Sequence, residues 1–351
     1  MSSPDKMQDS YGRTIRDLRI SITDRCNFRC LYCLPETEEA ANFYRERFKP
    51  DESTPINYTW KPKDNFLTYE EIERLARILA QHGVHKIRLT GGEPLLRRNV
   101  ESLVSRLDSI PNIRDIALTT NGFIFPDRAQ ALRDAGLKRV TFSLDSLDAD
   151  NFKRLTSKDG LDLVKLSIRR AKELGYSPIK LNAVIIRHLN DHEIEALAHF
   201  AAEQEVTMRY IEFMPLDSSR GWQRDHVVSK VEIFERLSQS LQLEALESDS
   251  PAETAQRWRI KGTKSEIGII APITEPFCGN CNRIRLTADG KIRTCLFSLH
   301  EHDLKTPLRT GEDDQQLTRR LRDVVFQKEE RHHIGEDEFQ QPDRTMSYIG
   351  G

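Results

Sequence analysis

Between residues 17 and 240, strand-like and helix-like stretches alternate six times. Such a rhythm calls for parallel strands joined by right-handed helical crossovers. Residues 17–23 (Asp-Leu-Arg-Ile-Ser-Ile-Thr) alternate apolar and polar side chains and read as the first strand. Further strands are predicted over 85–90, 114–119, 138–144, 179–186 and 206–213. Helices are predicted over 97–109, 127–135, a helical region 148–174, 191–203 and 229–240. An earlier helix is marked by Thr68 and Glu71 as a capping box, with Leu67 and Ile72 as a staple. Its face carries Ile72, Leu75, Ala76 and Leu79, and Gly83 suits its end. A doubly wound open sheet fits this pattern too. Chemistry-bearing residues end nearly every strand, however, and that favours a six-stranded partial barrel with its active face at the C-terminal strand ends.

After residue 241 the rhythm breaks. Residues 244–257 are acidic and rich in Ser, Pro and Ala, so a loop is expected. Strand-like pieces follow at 257–261 and 266–271. A hairpin is predicted from Arg283–Thr287 and Lys291–Cys295, turning at Asp289-Gly290, and a last helix over 312–328. Residues 36–66 read as a long polar loop, and the tail 329–351 as mobile unless docked. The expected fold class is therefore α/β: an incomplete (βα)6 TIM-like barrel over 1–241, then a C-terminal α+β extension over 242–351.

The six cysteines fall into two groups of three, with none left over. Cys26, Cys30 and Cys33 are spaced C-x3-C-x2-C, directly after the first strand. Cys278, Cys281 and Cys295 are spaced C-x2-C-x13-C. A long chain whose polar start, Met1 to Asp17, lacks an apolar signal region is expected in the reducing cytoplasm, where disulfides are rare. Structural zinc wants four ligands per site, and each group supplies three. His82 and His85, or His300 and His302, are the nearest histidines to complete them, so zinc stays open at this point. The other reading is two iron–sulfur clusters, each with one iron left free for a ligand.

Strand alternation supplies a second clue. Arg19 shares a strand face with Ser21, Arg88 with Thr90, Lys180 with Asn182, and Arg283 with Arg285. If the apolar faces meet the helices, these five cations converge on the barrel lumen. Buried unpaired charges are costly, so such a cavity should receive an anion, and several arginines suit a polyphosphate. The competing account is neutralisation from within by Glu93, Asp145 and Glu212. The formal net charge of −2 excludes a strongly basic nucleic-acid binder, and no apolar run is long enough to span a membrane. His332-His333 is expected on the surface.

The first cysteine group, with Tyr32 before its last member, resembles the signature of the radical S-adenosylmethionine (SAM) superfamily. With the second group, the strand ends Thr90-Gly91-Gly92-Glu93-Pro94, Thr119–Gly122, Ser143–Asp145 and Glu212–Pro215, and the final Gly350-Gly351, the resemblance narrows to the GTP 3',8-cyclase family of molybdenum cofactor biosynthesis. It runs from about Ile15 to Gly351; Leu34, where that family often has Met, and the loop at 36–66 depart from it.

The resemblance implies that Cys26, Cys30 and Cys33 hold a [4Fe–4S] cluster whose open iron binds SAM, contacted also by Tyr32, Gly92, Ser143 and Met214. It implies a second [4Fe–4S] cluster on Cys278, Cys281 and Cys295, and GTP contacts from Arg19, Arg88, Thr119, Lys180, Arg283, Ile284 (mainly backbone) and Arg285. Arg283, Arg285, Gly350 and Gly351 are the residues expected to serve catalysis, with the Gly-Gly tail reaching into the site. The implied reaction uses a 5'-deoxyadenosyl radical to take hydrogen from ribose C3' of GTP, after which the sugar carbon attacks C8. The implied partners are an electron donor protein and a downstream cyclic pyranopterin monophosphate synthase; no nucleic acid or membrane is expected, and a homodimer is left open. A radical SAM peptide-modifying enzyme with an auxiliary cluster is the alternative, and it would need a peptide groove instead of a triphosphate pocket.

Overall fold

The computed structural model describes residues 6–34, 61–216 and 222–350. The expected loop at 36–66 lies mostly outside them. Its end is a short 3-10 turn, Lys63–Asn65.

The alternating segments form β1 (Asp17–Ser21), α1 (Tyr69–Gln81), β2 (Lys86–Thr90), α2 (Val100–Asp108), β3 (Asp115–Thr120), α3 (Phe125–Asp134) and β4 (Arg139–Ser143). They continue as α4 (Ala149–Thr156), α5 (Leu161–Glu173), β5 (Ile179–Ile185), α6 (Ile194–Glu203), β6 (Thr207–Glu212) and α7 (Lys230–Ser240). The region 148–174 is thus two helices. Ser157 takes a left-handed conformation at the end of α4, and Gly160 starts α5 where any Cβ would meet the Phe123 ring at 2.7 Å.

The predicted capping box is present: Thr68 Oγ1 accepts from Glu71 N at 3.1 Å, and Glu71 Oε2 accepts from Thr68 N at 2.7 Å. Ile72, Leu75, Ala76 and Leu79 are buried on the side of α1 that packs into the core. Thr68→Ala is expected to cost about 1 kcal/mol of stability, read from denaturant midpoints. An unchanged midpoint would show that the cap contributes nothing.

Strands β1 to β6 lie side by side, all parallel. On β5, Ile179, Leu181, Ala183 and Ile185 are buried against the helices, while Lys180, Asn182 and Val184 turn to the inner face. The predicted alternation is therefore the one the core uses.

The C-terminal segment joins this same sheet at both edges. It contributes β7 (Leu243–Leu246), β8 (Gln256–Ile260), β9 (Glu266–Ile270), β10 (Arg283–Leu286), β11 (Lys291–Arg293) and β12 (His302–Asp303). Strand β10 pairs parallel to β1, and β9 parallel to β6, so eight parallel strands run β10-β1-β2-β3-β4-β5-β6-β9. The sheet stays open at β12 and β7, giving a partial TIM-like barrel with the extension on its two flanks. Strand β7 falls inside the stretch expected to be a loop. It is an edge strand, paired among the described residues with β8 alone, and its four residues, Leu-Glu-Ala-Leu, are too few to show an alternation. The hairpin forms as β10 and β11, its loop closed by Gly290 at φ +79°. Then come α8 (Lys305–Arg309), α9 (Asp314–Phe326) and a short α10 (Met346–Ile349). The tail is docked: Ser347 and Ile349 are buried.

Candidate active site

The register of the sheet places the cations. Arg19 on β1 stands between Arg285 on β10 and Arg88 on β2. Arg88 donates to Thr119 Oγ1 at 3.1 Å and Thr141 Oγ1 at 3.2 Å. Opposite, Arg209 on β6 reaches the same Thr141 hydroxyl at 3.5 Å. These arginines, with Arg283, line one cavity of about 280 Å³ at the C-terminal strand ends. Asp145 is the only carboxylate on its wall among the described residues.

The three carboxylates considered above do not pair with these arginines; buried Asp17 on β1 is the acid whose charge offsets part of Arg19 and Arg88. Glu93 accepts from Leu95 N, Thr120 Oγ1 and Asn121 N. Glu212 accepts from Lys230 N and Ile273 N. Asp145 accepts from Tyr32 and Val184 N. None of the three bonds an arginine of the cavity. Burial, then repulsion from Arg19, holds Arg88 down at about 10. Among the described residues, Arg19 Nε and Arg209 Nε are buried without a hydrogen-bond partner. Guanidinium groups held this way lower their energy by taking an anion.

Lys180 does not line the cavity. It lies among Arg209, Arg139, Arg88 and Lys86, where burial and those charges bring its ammonium down to about 7. Ile284 is wholly buried in the apolar core, so only its backbone belongs to the strand beside β1. Arg209 escaped the sequence reading, although it shares a face of β6 with Thr207, opposite Met208 and Tyr210, the same kind of signal as Arg88 with Thr90. His332 is a correction: it lines the cavity, its ring 5.1 Å from that of Phe297, while His333 is exposed and bonded to Glu336.

All six cysteines line this cavity. The first three sit in the loop after β1, and the turn after β2 fixes that loop. Gly92 N donates to Thr23 O and Glu93 N to Arg25 O, each at 2.8 Å. Asn121, at the end of β3, donates to Asn27 Oδ1 at 2.8 Å and approaches Cys26 Sγ at 3.8 Å. Tyr32 donates to Asp145 Oδ2 at 2.7 Å, tying the loop to the end of β4. Gly92, Ser143 and Met214 share the wall with these cysteines.

The donor chemistry fits clusters better than single ions. Among the described residues no three His, Cys, Asp or Glu side chains gather tightly enough for one metal ion, and His82, His85, His300 and His302 do not line the cavity. A tetrahedral zinc, with Zn–S bonds of about 2.3 Å, needs such a gathering. Three cysteines per set leave one iron of a cubane free for a ligand. Burial, then the Glu93 charge, pushes Cys26 to about 11, and burial, then Cys26, pushes Cys33 to about 12, so these thiols stay protonated until a metal displaces their protons. At the second set burial alone would raise Cys281, but Arg283 and Lys328 outweigh it and bring the thiol to about 6.

The C-terminal tail reaches the same place. Gly350, at φ +80°, lies against Thr90 and Ser21, and its carbonyl accepts from Arg285 Nη1. Any Cβ there would meet Thr90 Cγ2 at 2.4 Å. Gly351 lies outside the described residues. Arg344 holds the tail by bonding Asp289 at 2.8 and 3.0 Å and Glu301 at 2.7 Å.

Residues 20–201 match the family model described as Radical SAM superfamily, and residues 206–334 the model described as Molybdenum Cofactor Synthesis C. The chain is 42% identical to a GTP 3',8-cyclase of Rhodopirellula baltica over 100% of its own length and 94% of that protein's. It is 45% identical to the GTP 3',8-cyclase of Acidothermus cellulolyticus, covering 91% of this chain and 84% of that one. Among solved structures it resembles Streptococcus suis SuiB bound to S-adenosylmethionine, with a TM-score of 0.54 at 14% identity. That match covers 85% of this chain and spans 63% of the SuiB chain, and it speaks to the fold alone.

Proposed function

Since the chain belongs to the GTP 3',8-cyclase family within the radical SAM superfamily, we propose that the cavity between its two cysteine sets is where GTP is cyclised. The enzyme is a GTP 3',8-cyclase, acting at the first step of molybdenum cofactor biosynthesis. The observation that carries the site assignment is the cavity wall itself: five arginines, one carboxylate, and a three-thiol set at either side.

Cys26, Cys30 and Cys33 would hold the cluster that binds SAM, and Cys278, Cys281 and Cys295 a second [4Fe–4S] cluster facing the guanine. The first cluster with SAM supplies the one-electron chemistry that removes a ribose hydrogen. Arg19, Arg88, Arg283 and Arg285 bind and orient the triphosphate, and we add Arg209 to that set. Thr119 and Thr141 fix the Arg88 fork through its two hydroxyl contacts. Tyr32, Gly92, Ser143 and Met214 shape the SAM side, and the tail with Met346 closes the wall against water. The enzyme works in the cytoplasm, takes its electron from a donor protein and hands its product to cyclic pyranopterin monophosphate synthase. The arginine cluster argues against the peptide-modifying alternative, because a peptide groove has no use for five cations.

The test uses anaerobically reconstituted protein with SAM, a strong reductant and GTP deuterated at ribose C3'. Deuterium should appear in 5'-deoxyadenosine only when GTP is present. SAM cleavage without that transfer would remove GTP C3' as the abstraction site.

A further inference from the structure

Lys328 follows α9 and is 3% exposed, yet among the described residues no carboxylate forms an ion pair with it. Its ammonium donates to the carbonyl of Thr294, the residue before Cys295. The neighbouring carboxylate, Glu329, is engaged by the Thr294 hydroxyl at 2.7 Å. Arg13 clamps the surrounding backbone, donating to Cys278 O at 2.9 Å, Glu329 O at 2.5 Å and Glu330 O at 2.8 Å. Asp9 holds Arg13 in turn, at 2.5 Å. The segment carrying Lys328 is thereby fixed to the Cys278 turn. Lys328 does not line the cavity, whereas Arg283, the other cation beside Cys281, does.

An ammonium taken out of water needs a countercharge. Held at the Thr294 carbonyl, one residue from Cys295, on a segment that Arg13 ties to the Cys278 carbonyl, the Lys328 ammonium stands behind the second cysteine set. A cluster on three thiolates carries negative charge that grows by one on reduction, and the charge around a cluster sets its potential.

We propose that Lys328 is the fixed countercharge of the second cysteine site, acting from behind it and favouring the reduced state of the cluster held there. This rests on the reading that Cys278, Cys281 and Cys295 hold a [4Fe–4S] cluster. It assigns Lys328 no contact with GTP, since Lys328 does not line the cavity.

The test compares full-length reconstituted wild type, Lys328→Gln and Lys328→Arg. Iron is counted first, and the second cluster is then titrated potentiometrically by electron paramagnetic resonance with SAM added to identify the first cluster's signal. Wild type should hold about eight irons per chain for two cubanes. Lys328→Gln should lower the reduced-to-oxidised ratio of the second cluster about tenfold at fixed potential, a shift of about 59 mV for one electron. Lys328→Arg should stay close to wild type. Equal potentials in wild type and Lys328→Gln, both fully loaded, would overturn the proposal. If Lys328→Gln fails to retain iron, Glu329→Gln carries the test: removing the opposing charge must shift the potential upward, and no shift overturns it. About four irons in wild type would instead remove the second cluster, and the proposal with it.

Discussion

Gly92→Ala is expected to leave the first cysteine site without iron while the second stays loaded. A Cβ at position 92 would stand 2.3 Å from Arg25 O, 2.6 Å from its carbonyl carbon and 2.8 Å from Asp24 O. All three are backbone atoms, so no side chain can swing aside. Relief requires moving the chain at 24–25, one residue before Cys26. That movement breaks the 2.8 Å bonds from Gly92 N to Thr23 O and from Glu93 N to Arg25 O, each worth about 1 kcal/mol. The larger loss is geometric, because a misplaced Cys26 leaves two thiols where a cluster needs three. Iron should fall by about half, SAM should no longer perturb the remaining cluster signal, and SAM cleavage should drop by at least about a hundredfold, or roughly 2.7 kcal/mol in barrier. Gly279→Ala is the control: it lies between Cys278 and Cys281, but a Cβ there meets nothing within 4 Å, so both clusters should load. Normal iron in Gly92→Ala would show that the cysteine loop does not depend on this approach.

Gly91 and Gly92 illustrate how far the sequence could be read. Their position after a strand signals a close backbone approach, and the structure shows that the nearest surface is the cysteine loop itself, with Gly92 also on the cavity wall. The barrel strands were legible because period-two alternation over residues such as Ile179–Ile185 reports burial directly. The capping box at Thr68 was legible because its chemistry is local. The pairing of β10 with β1 was not, since some 260 residues separate them and no local pattern encodes a parallel register; yet that pairing brings Arg285 beside Arg19. The inward arginines were found by face, and Arg209 was missed only because the alternation of β6 was not read. Lys180 is on the expected inner face but off the cavity wall, because alternation gives the face of a strand and not the depth along it. His332 follows no periodic element at all, so its place on the wall comes from tertiary packing alone.

Arg285→Met should abolish turnover without harming the fold. Arg285 is buried beside Arg19 on the neighbouring strand, two residues after Arg283 on its own, and burial followed by those two neighbours pulls its guanidinium well below the usual arginine range. Removing one of these like charges relieves repulsion, so stability should hold or rise slightly. Iron content and SAM binding should also hold, because Arg285 bonds no cysteine loop. Two things are lost. One is a forked donor for the triphosphate, where a charge-assisted hydrogen bond is worth about 1.5–3 kcal/mol, or roughly ten- to hundredfold in GTP affinity. The other is the tether on the Gly350 carbonyl, the contact that keeps the tail against Ser21 and Thr90. The two separate in Arg285→Lys. An ammonium keeps the charge and should restore part of the GTP affinity measured by anaerobic calorimetry. It lacks the planar fork that can serve phosphate and carbonyl together, so turnover should stay at least about tenfold down and the tail should cleave faster under limited proteolysis. GTP binding by Arg285→Met as tight as wild type would take Arg285 out of the substrate set. Tail protection unchanged in both variants would mean that Arg344 alone, through Asp289 and Glu301, holds the C-terminus in place.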